Sequence, residues 1–550
     1  MLNQNKVSKF NQIFDYLHEH IIAVIIIVAI LAGGICTAII LNDQGDANET
    51  ETSITEYQPM KTVYFAMDKV SSLNPLSSTE EDTYYISKLV FSSLFRLDET
   101  LNIEKDLVKK YTANSKSGTV SLTLRNDAVF SDGNPLTAHD VRFTVEQIQS
   151  IGEKSPYYEY ISKIETVETD LENPNKLTIK FKKVSDAALD NLVFPIVSEQ
   201  SFKKDEIKPV GSGQYAYGSY TNKKVLKLKA NKHYYGEPPV NSLQFKVISD
   251  KSNTPGLMTI DSITATVTTD TAVSIEAEDK GLQTTSIPSN EVEYIGFNFK
   301  NQYLKDVRVR QAIAKIINCK SIIHDSYGGA GMESDSVYYP GFLGYENKGD
   351  AYAQDQVGAS QLLKDCGFID SDENGFLENK NGKEVELTIL VNRNNDSRVD
   401  AAETICSELN KIGIKASVKS LSWKKYKEAL EKKKFDLYLG GYQFDQKYNL
   451  KALFSKNNKI NYKNEDVLAY VKQLEKTLTA EEQKEVYGKL KTVLTEELPY
   501  YCICYKTYSF ISVKRFKADT IPTFFQHYRG CDTWQWEKVM TTKIEDEEQE

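Results

Sequence analysis

Apolar side chains alternate with polar ones in a series of short runs: Val120, Leu122 and Leu124; Leu177, Ile179 and Phe181; Leu226, Leu228 and Ala230; Ile295, Phe297 and Phe299; Leu387, Ile389 and Val391. A period of two turns one face of an extended chain towards a core, so these runs predict half-buried strands. Between them the period lengthens to three or four. Val141, Val145 and Ile148 follow Thr137 and Asp140, which are spaced as a capping box, and the same helical period returns at Ile405, Leu409, Ile412 and at Val486, Leu490, Val493. Strands and helices interleave along the chain, which predicts the α/β class. No internal repeat is visible.

One run has no period at all. From Ile21 to Leu41 there is no charged residue, and 21 residues of helix at about 1.5 Å each span the roughly 30 Å hydrocarbon layer. The run predicts a single transmembrane helix. Lys6 and Lys9 precede it and the next lysine is Lys61, so residues 1–20 are expected to form a cytoplasmic stub with everything after Leu41 outside the cell membrane. Gly33, Gly34, Ile35 and Cys36 faintly match a lipidation box, but Ile35 stands where a small residue is required and the apolar run continues past Cys36. Residues 42–56, with Asp43, Asp46, Glu49, Glu51 and Glu56, are expected to be an acidic linker, and residues 543–550 an acidic tail.

The 550-residue chain has 77 acidic and 67 basic side chains, a net charge of −10, which argues against a broad phosphate-binding surface and hence against a nucleic-acid partner. Catalytic motifs are missing: there is no GxSxG, HExxH, GxxxxGK[ST] or helix-opening GxGxxG. His139, His233, His324 and His527 are scattered. Beyond the apolar run, cysteines 319, 366, 406, 502, 504 and 531 permit disulfides in up to fifteen pairings, while buried free thiols fit equally well; Cys502 and Cys504 should share one face of a strand. Asp370, Asp372, Asn374 and Gly375 match the opening of an EF-hand loop, but its twelfth position is Asn381 where a bidentate Glu is needed, so a polar turn without metal is expected and no cofactor is assigned. Arg308 and Arg310 are expected to hold a helix start against neighbouring carboxylates.

Several longer strings carry more information. They are Leu73-Asn-Pro-Leu76, Val90-Phe-Ser-Ser-Leu-Phe-Arg-Leu-Asp98, Leu122-Thr-Leu-Arg-Asn-Asp-Ala-Val-Phe-Ser-Asp-Gly-Asn-Pro-Leu-Thr-Ala-His-Asp-Val141, Val210-Gly-Ser-Gly-Gln-Tyr215, Ala230-Asn-Lys-His-Tyr-Tyr-Gly236, Ile295-Gly-Phe-Asn-Phe299, Asp306-Val-Arg-Val-Arg-Gln-Ala312 and Glu497-Leu-Pro499. In order and spacing, over most of residues 60–540, they resemble the family 5 extracellular solute-binding proteins of ABC importers, the oligopeptide-binding type. Phe130-Ser-Asp-Gly133 reads as a turn, and Gly211 and Gly213 as positions of unusual backbone geometry.

The resemblance implies a bilobed, periplasmic-binding-protein-like fold of class II in three discontinuous domains: domain I from 57–97, 208–297 and 510–542, domain II from 98–207, and domain III from 298–509. It implies a binding protein, not an enzyme, that captures peptides in an interdomain cleft and delivers them to an ABC permease, with a monomeric ectodomain. In peptide-binding members a Gly-aromatic-x-x-Asp segment lines the cleft and its carboxylate meets the ligand's α-ammonium. Here that segment matches Gly441-Tyr442-Gln443-Phe444-Asp445, with Gly441 and Gln443 offering backbone groups to an extended peptide. Thr79, Glu80 and Glu81 match a second cleft-lining loop, and Trp423 and Tyr442 are the aromatic candidates for a side-chain pocket. A ligand-sensing receptor on the same scaffold, or a non-peptide solute such as a nickel complex, haem, an opine or a sugar, remains open at this point.

Overall fold

The computed structural model describes residues 51–543 apart from 115, 184–188, 205–207, 335, 346–351, 445–447, 449 and 475–479. Ile21–Leu41 therefore lies outside the described residues, as do Cys36 and residues 544–550. Among the described residues no helix is long and apolar enough to cross a membrane.

The chain divides into two compact units. In the smaller one the strand Glu51–Pro59 pairs antiparallel with Gln535–Lys543, and Phe516–Lys517 pairs with the same strand through Trp536 and Gln535. Trp534 is fully buried there, edge-on to Phe516 at 4.8 Å. The linker expected over 42–56 is thus ordered strand from Glu51 onward, because Gln535–Lys543 supplies partners for its backbone.

The larger unit, from Thr62 to Val513 with 520–532, contains three principal sheets. In the first, Thr62–Met67 runs parallel to Ser242–Val247, which continues antiparallel into Val225–Ala230 and Tyr215–Thr221. The second is antiparallel, in the order Val108–Asn114, Thr119–Leu124, Lys176–Phe181, Ile164–Thr169. The capping box forms as predicted: Asp140 accepts from the Thr137 backbone at 2.8 Å and opens the helix Ala138–Ile151. Before it, Gly133 takes φ +92° in the turn that closes with its N–H on the Phe130 carbonyl. Gly211 and Gly213 have a different reason from the one expected. A Cβ at Gly213 would lie 2.5 Å from the Leu89 carbonyl, so these glycines allow close approach to the end of the helix Glu81–Val90.

The third sheet has seven strands. Its spine is two long antiparallel strands, Gln283–Phe297 and Tyr500–Ser512, flanked by Ala265–Thr268 on one side and by Leu437–Gln443, Glu386–Asn392 and Lys415–Leu421 on the other, with the short strand Gly331–Met332 also paired to Tyr500–Ser512. Both faces are covered. Ile295, Phe297, Leu387, Ile389 and Val391 pack with Ile405 and Leu409 on one side, while Val292, Tyr294, Leu390 and Tyr438 pack with Tyr426, Phe444 and Tyr448 on the other. The register slips between Pro288 and Val292 and again between Glu293 and Tyr294. The second slip corrects the expectation for the two cysteines: Tyr294 opposes Cys502 and Glu293 opposes Cys504, one residue against two, so Cys502 packs on one face of the sheet and Cys504 on the other. All six described cysteines are free thiols.

Arg308 pairs with Asp306, the cap of the helix Val307–Lys315, at 2.6 Å, as expected. Arg310 forms no salt bridge with a carboxylate among the described residues. It is 3% exposed, donates to the carbonyls of Leu304, Lys305, Glu497 and Leu498, and lies 4.4 Å over the Phe299 ring. Burial pulls its guanidinium down to about 10.

Candidate functional site

The strand Leu437–Gln443 begins buried and surfaces at its end, with Gly441 partly exposed and Gln443 exposed. Along one edge it pairs with Gln283–Phe297, setting Glu293 opposite Gly441, Val292 opposite Tyr442 and Glu291 opposite Gln443. Along the other, its pairing with Glu386–Asn392 stops at Tyr438. From Leu439 onward no strand is paired on that edge among the described residues. An extended peptide laid there, beyond the Leu439 carbonyl that already accepts from the Tyr426 hydroxyl, would find backbone groups at strand spacing.

Charge is concentrated beneath the two glycines. Glu293 is 1% exposed and holds Arg398 in a two-pronged pair, 2.7 Å from Nε and 2.8 Å from Nη2. The Tyr327 hydroxyl reaches it at 3.4 Å, and the Lys506 ammonium stands 3.6 Å from Glu293 and 3.0 Å from Glu291. The neighbouring charges favour the cationic form of Lys506, and the carboxylate does the same for Arg398, against burial in both cases. A buried carboxylate so supported is fixed in place, and the strand that crosses it is fixed with it.

Phe444, 1% exposed, donates its N–H to the Asn290 carbonyl at 2.9 Å and accepts from the Asn290 side-chain amide. Its ring stacks on Tyr448 at 4.3 Å and meets Tyr442 edge-on at 4.8 Å. Asp445, the next residue, lies outside the described residues. Trp423 is 49% exposed and stacks at 5.7 Å on Tyr426, whose hydroxyl donates to the Leu439 carbonyl at 2.9 Å. The structure thus joins Trp423, through Tyr426, to the strand that carries Gly441, Tyr442 and Gln443.

The second predicted group divides. Thr79 is exposed. The Glu80 carboxylate accepts from the Ser71 backbone at 3.0 and 3.1 Å and from the Ser71 and Ser78 hydroxyls, so it holds its own loop closed. Glu81 opens the helix Glu81–Val90 and lines a small cavity of about 70 Å³ with Asp82, Tyr85, Lys251, Phe510 and His527. Asp82 is buried, which raises its carboxyl, while Lys251 at 3.1 Å works in the other direction.

His527 was legible in the sequence only as one scattered histidine. In the fold its ring lies flat on Tyr85, 3.5 Å between centroids and 15° apart, and meets Tyr508 edge-on at 5.5 Å. Its Nε2 is buried without a hydrogen-bond partner. Burial, helped by the charges of Lys88 and Lys251, lowers it to about 3, so the ring is neutral at physiological pH. The Tyr508 phenol is raised by burial and then by the charges of Glu81 and Glu291, the latter standing opposite Gln443 in the sheet. No local pattern signals the stacking of His527 on Tyr85 and against Tyr508, since the three belong to remote segments. A second cavity, of about 430 Å³, shares Tyr85 and Tyr528 with the smaller one, is also lined by Lys88, Asp98, Tyr157, Phe525 and Arg529, and contains none of the predicted site residues.

Residues 102–461 match the family described as bacterial extracellular solute-binding proteins, family 5. The oligopeptide-binding protein AppA of Bacillus subtilis is 25% identical over 455 residues, 78% of this chain and 83% of AppA. The glutathione-binding protein GsiB of Salmonella choleraesuis is 22% identical over 361 residues, 64% of this chain and 67% of GsiB. Among solved structures, the unliganded open form of the murein tripeptide-binding protein MppA superposes with a TM-score of 0.72 at 18% identity, covering 88% of this chain and 99% of MppA. A nickel ABC transporter protein from Bacillus halodurans reaches the same TM-score at 18% identity over 86% of this chain and all of its own. These two establish the α/β periplasmic-binding-protein-like fold. The chain belongs to the family 5 extracellular solute-binding proteins, the substrate-binding components of ABC importers.

Proposed function

We propose that the protein captures peptides and delivers them to an ABC import permease. The observation that carries this reading is the strand edge beyond Tyr438, which runs from the buried Glu293–Arg398 pair to the surface at Gln443 with no strand beside it among the described residues. Such an edge binds peptide backbone whatever the side chains, and Asp445, two residues past Gln443, would take the α-ammonium. The relationship to AppA, whose name gives oligopeptides as its ligand, supports it.

In this reading the lobes are domain I with domain II against domain III, divided as the resemblance implies, and they close by bending the long strands where their register slips at Pro288–Val292. Ile21–Leu41 anchors the chain, with the binding domain outside the cell. Closure buries a cation against a fixed carboxylate, and losing one partner of such a pair costs about 2 to 5 kcal/mol.

The test is the melting temperature of a fragment beginning at residue 42, which retains the strand Glu51–Pro59, with and without a pool of short peptides. Peptides with a free amino terminus should raise it by several degrees, N-acetylated ones should not, and Asp445→Ala should abolish the difference. Equal stabilisation by both forms overturns the role of Asp445, and no stabilisation by either overturns the peptide reading.

A further inference from the structure

Far from the strand edge in sequence, the loop between the helix Gln356–Asp365 and the strand Glu386–Asn392 is closed at its ends by reciprocal backbone bonds between Ile369 and Glu378, 3.1 and 2.8 Å. Inside it, carboxylate oxygens of Asp370, Asp372 and Glu378 lie within 4.8 Å of one another. Three negative groups at that separation repel, and among the described residues no Lys or Arg nitrogen forms a salt bridge with any of them. The nearby cation, Lys415, is taken up by Glu384 at 2.8 Å and Glu386 at 3.3 Å.

Glu378 makes this more than an acidic turn. It is 6% exposed, its Oε2 accepts from the Ser371 backbone at 2.7 Å and hydroxyl at 2.8 Å, and its Oε1 is buried with no hydrogen-bond partner. A buried, unpartnered carboxylate oxygen beside two further carboxylates is costly unless a cation shares them. The donor set is all oxygen, which selects a hard divalent ion, and the loop reads Asp370-x-Asp372-x-Asn374-Gly375 with Glu378 at the ninth position. Asn381 at the twelfth position had argued against metal, but the fold brings in the carboxylate of Glu378 instead.

We propose that Asp370, Asp372 and Glu378 form a calcium site, independent of the peptide site, that ties the 370–378 loop to the domain core. Without the bidentate twelfth ligand its affinity belongs at the weak, extracellular end, about 0.1 to 1 mM.

The experiment is calorimetric titration of the full chain, stripped with a chelator and desalted, using calcium chloride and then magnesium chloride, with melting curves at 0 and 10 mM of each. The expected result is one calcium ion per chain, a rise of several degrees in melting temperature, and a smaller rise with magnesium. Asp372→Asn, at an exposed position that leaves packing untouched, and Glu378→Gln should each weaken calcium binding at least tenfold. No heat and no melting shift for the unsubstituted chain, or unchanged calcium binding in Asp372→Asn, overturns the proposal. Peptide-induced melting shifts, read separately with and without calcium, keep this outcome distinct from failure of the peptide reading.

Discussion

Arg398 and Glu293 meet directly against Gly441, where a Cβ would collide with Arg398 Nη2 and stand 2.8 Å from Glu293 Oε1. The pair is a support for the strand edge, and its value lies in being complete. Arg398→Ala leaves Glu293 buried with the Tyr327 hydroxyl at 3.4 Å and Lys506 at 3.6 Å and should destabilise the fold by about 3 kcal/mol, at the lower end for a broken buried pair because these partners remain. Replacing both, Arg398→Met with Glu293→Gln, should recover more than half of that loss. Urea denaturation of the single and double variants measures it; equal destabilisation by both would mean that packing, not charge, dominates here.

Gly441→Ala tests the same contact from the strand side. The added methyl must displace a guanidinium already fixed by two bonds, so overpacking should cost about 1 to 3 kcal/mol. The strand edge should move with it. In ligand titrations the variant should bind peptides at least tenfold more weakly than the unsubstituted chain, whereas Gly256→Ala, placed where an added methyl meets nothing within 4 Å, should leave affinity unchanged.

The six described cysteines call for a redox test. Cys406, Cys502, Cys504 and Cys531 are buried, and burial raises Cys319 and Cys366 to about 11 and Cys406 to about 12, so few thiolates are available at pH 8. Dithiothreitol should therefore shift the melting temperature by less than about one degree, since the described residues contain no cross-link whose loss would cost about 2 to 5 kcal/mol. Thiol titration should proceed slowly in the native protein and count every cysteine after denaturation.

Much of the scaffold was legible because its signals are local. The alternation at Leu177, Ile179 and Phe181 depends on neighbours two residues apart, and Thr137 and Asp140 satisfy one another within a single turn. Family-level strings added the fold and pointed to Gly441–Gln443, which the structure places on a surfacing strand joined to Trp423 through Tyr426. What escaped are relationships closed only by folding. Glu293 finds Arg398 across 105 positions, and His527 reaches Tyr85 from the other end of the chain. A register slip at Glu293 also separated Cys502 from Cys504, because one extra residue in a strand reverses every side chain beyond it.

His527 gives the fold a pH dependence whose sign can be stated. Its ring is lowered to about 3 in the folded chain, against about 6.5 when unfolded, so below pH 6.5 the unfolded state binds a proton that the native state refuses. The stability it contributes is complete above pH 6.5 and falls as pH drops towards 3, by about 1.4 kcal/mol per pH unit once the unfolded histidine is protonated. Glu81, Asp82, Lys88, Lys251, Tyr85, Tyr508 and Tyr528 surround it, and Asp82 acts in the opposite sense because burial raises its carboxyl. The comparison must therefore be between the unsubstituted chain and His527→Gln, both followed by thermal unfolding from pH 7.5 to 4. Their melting temperatures should converge as pH falls, since only the histidine form carries this penalty, while a constant difference across the range would mean that His527 titrates alike in both states.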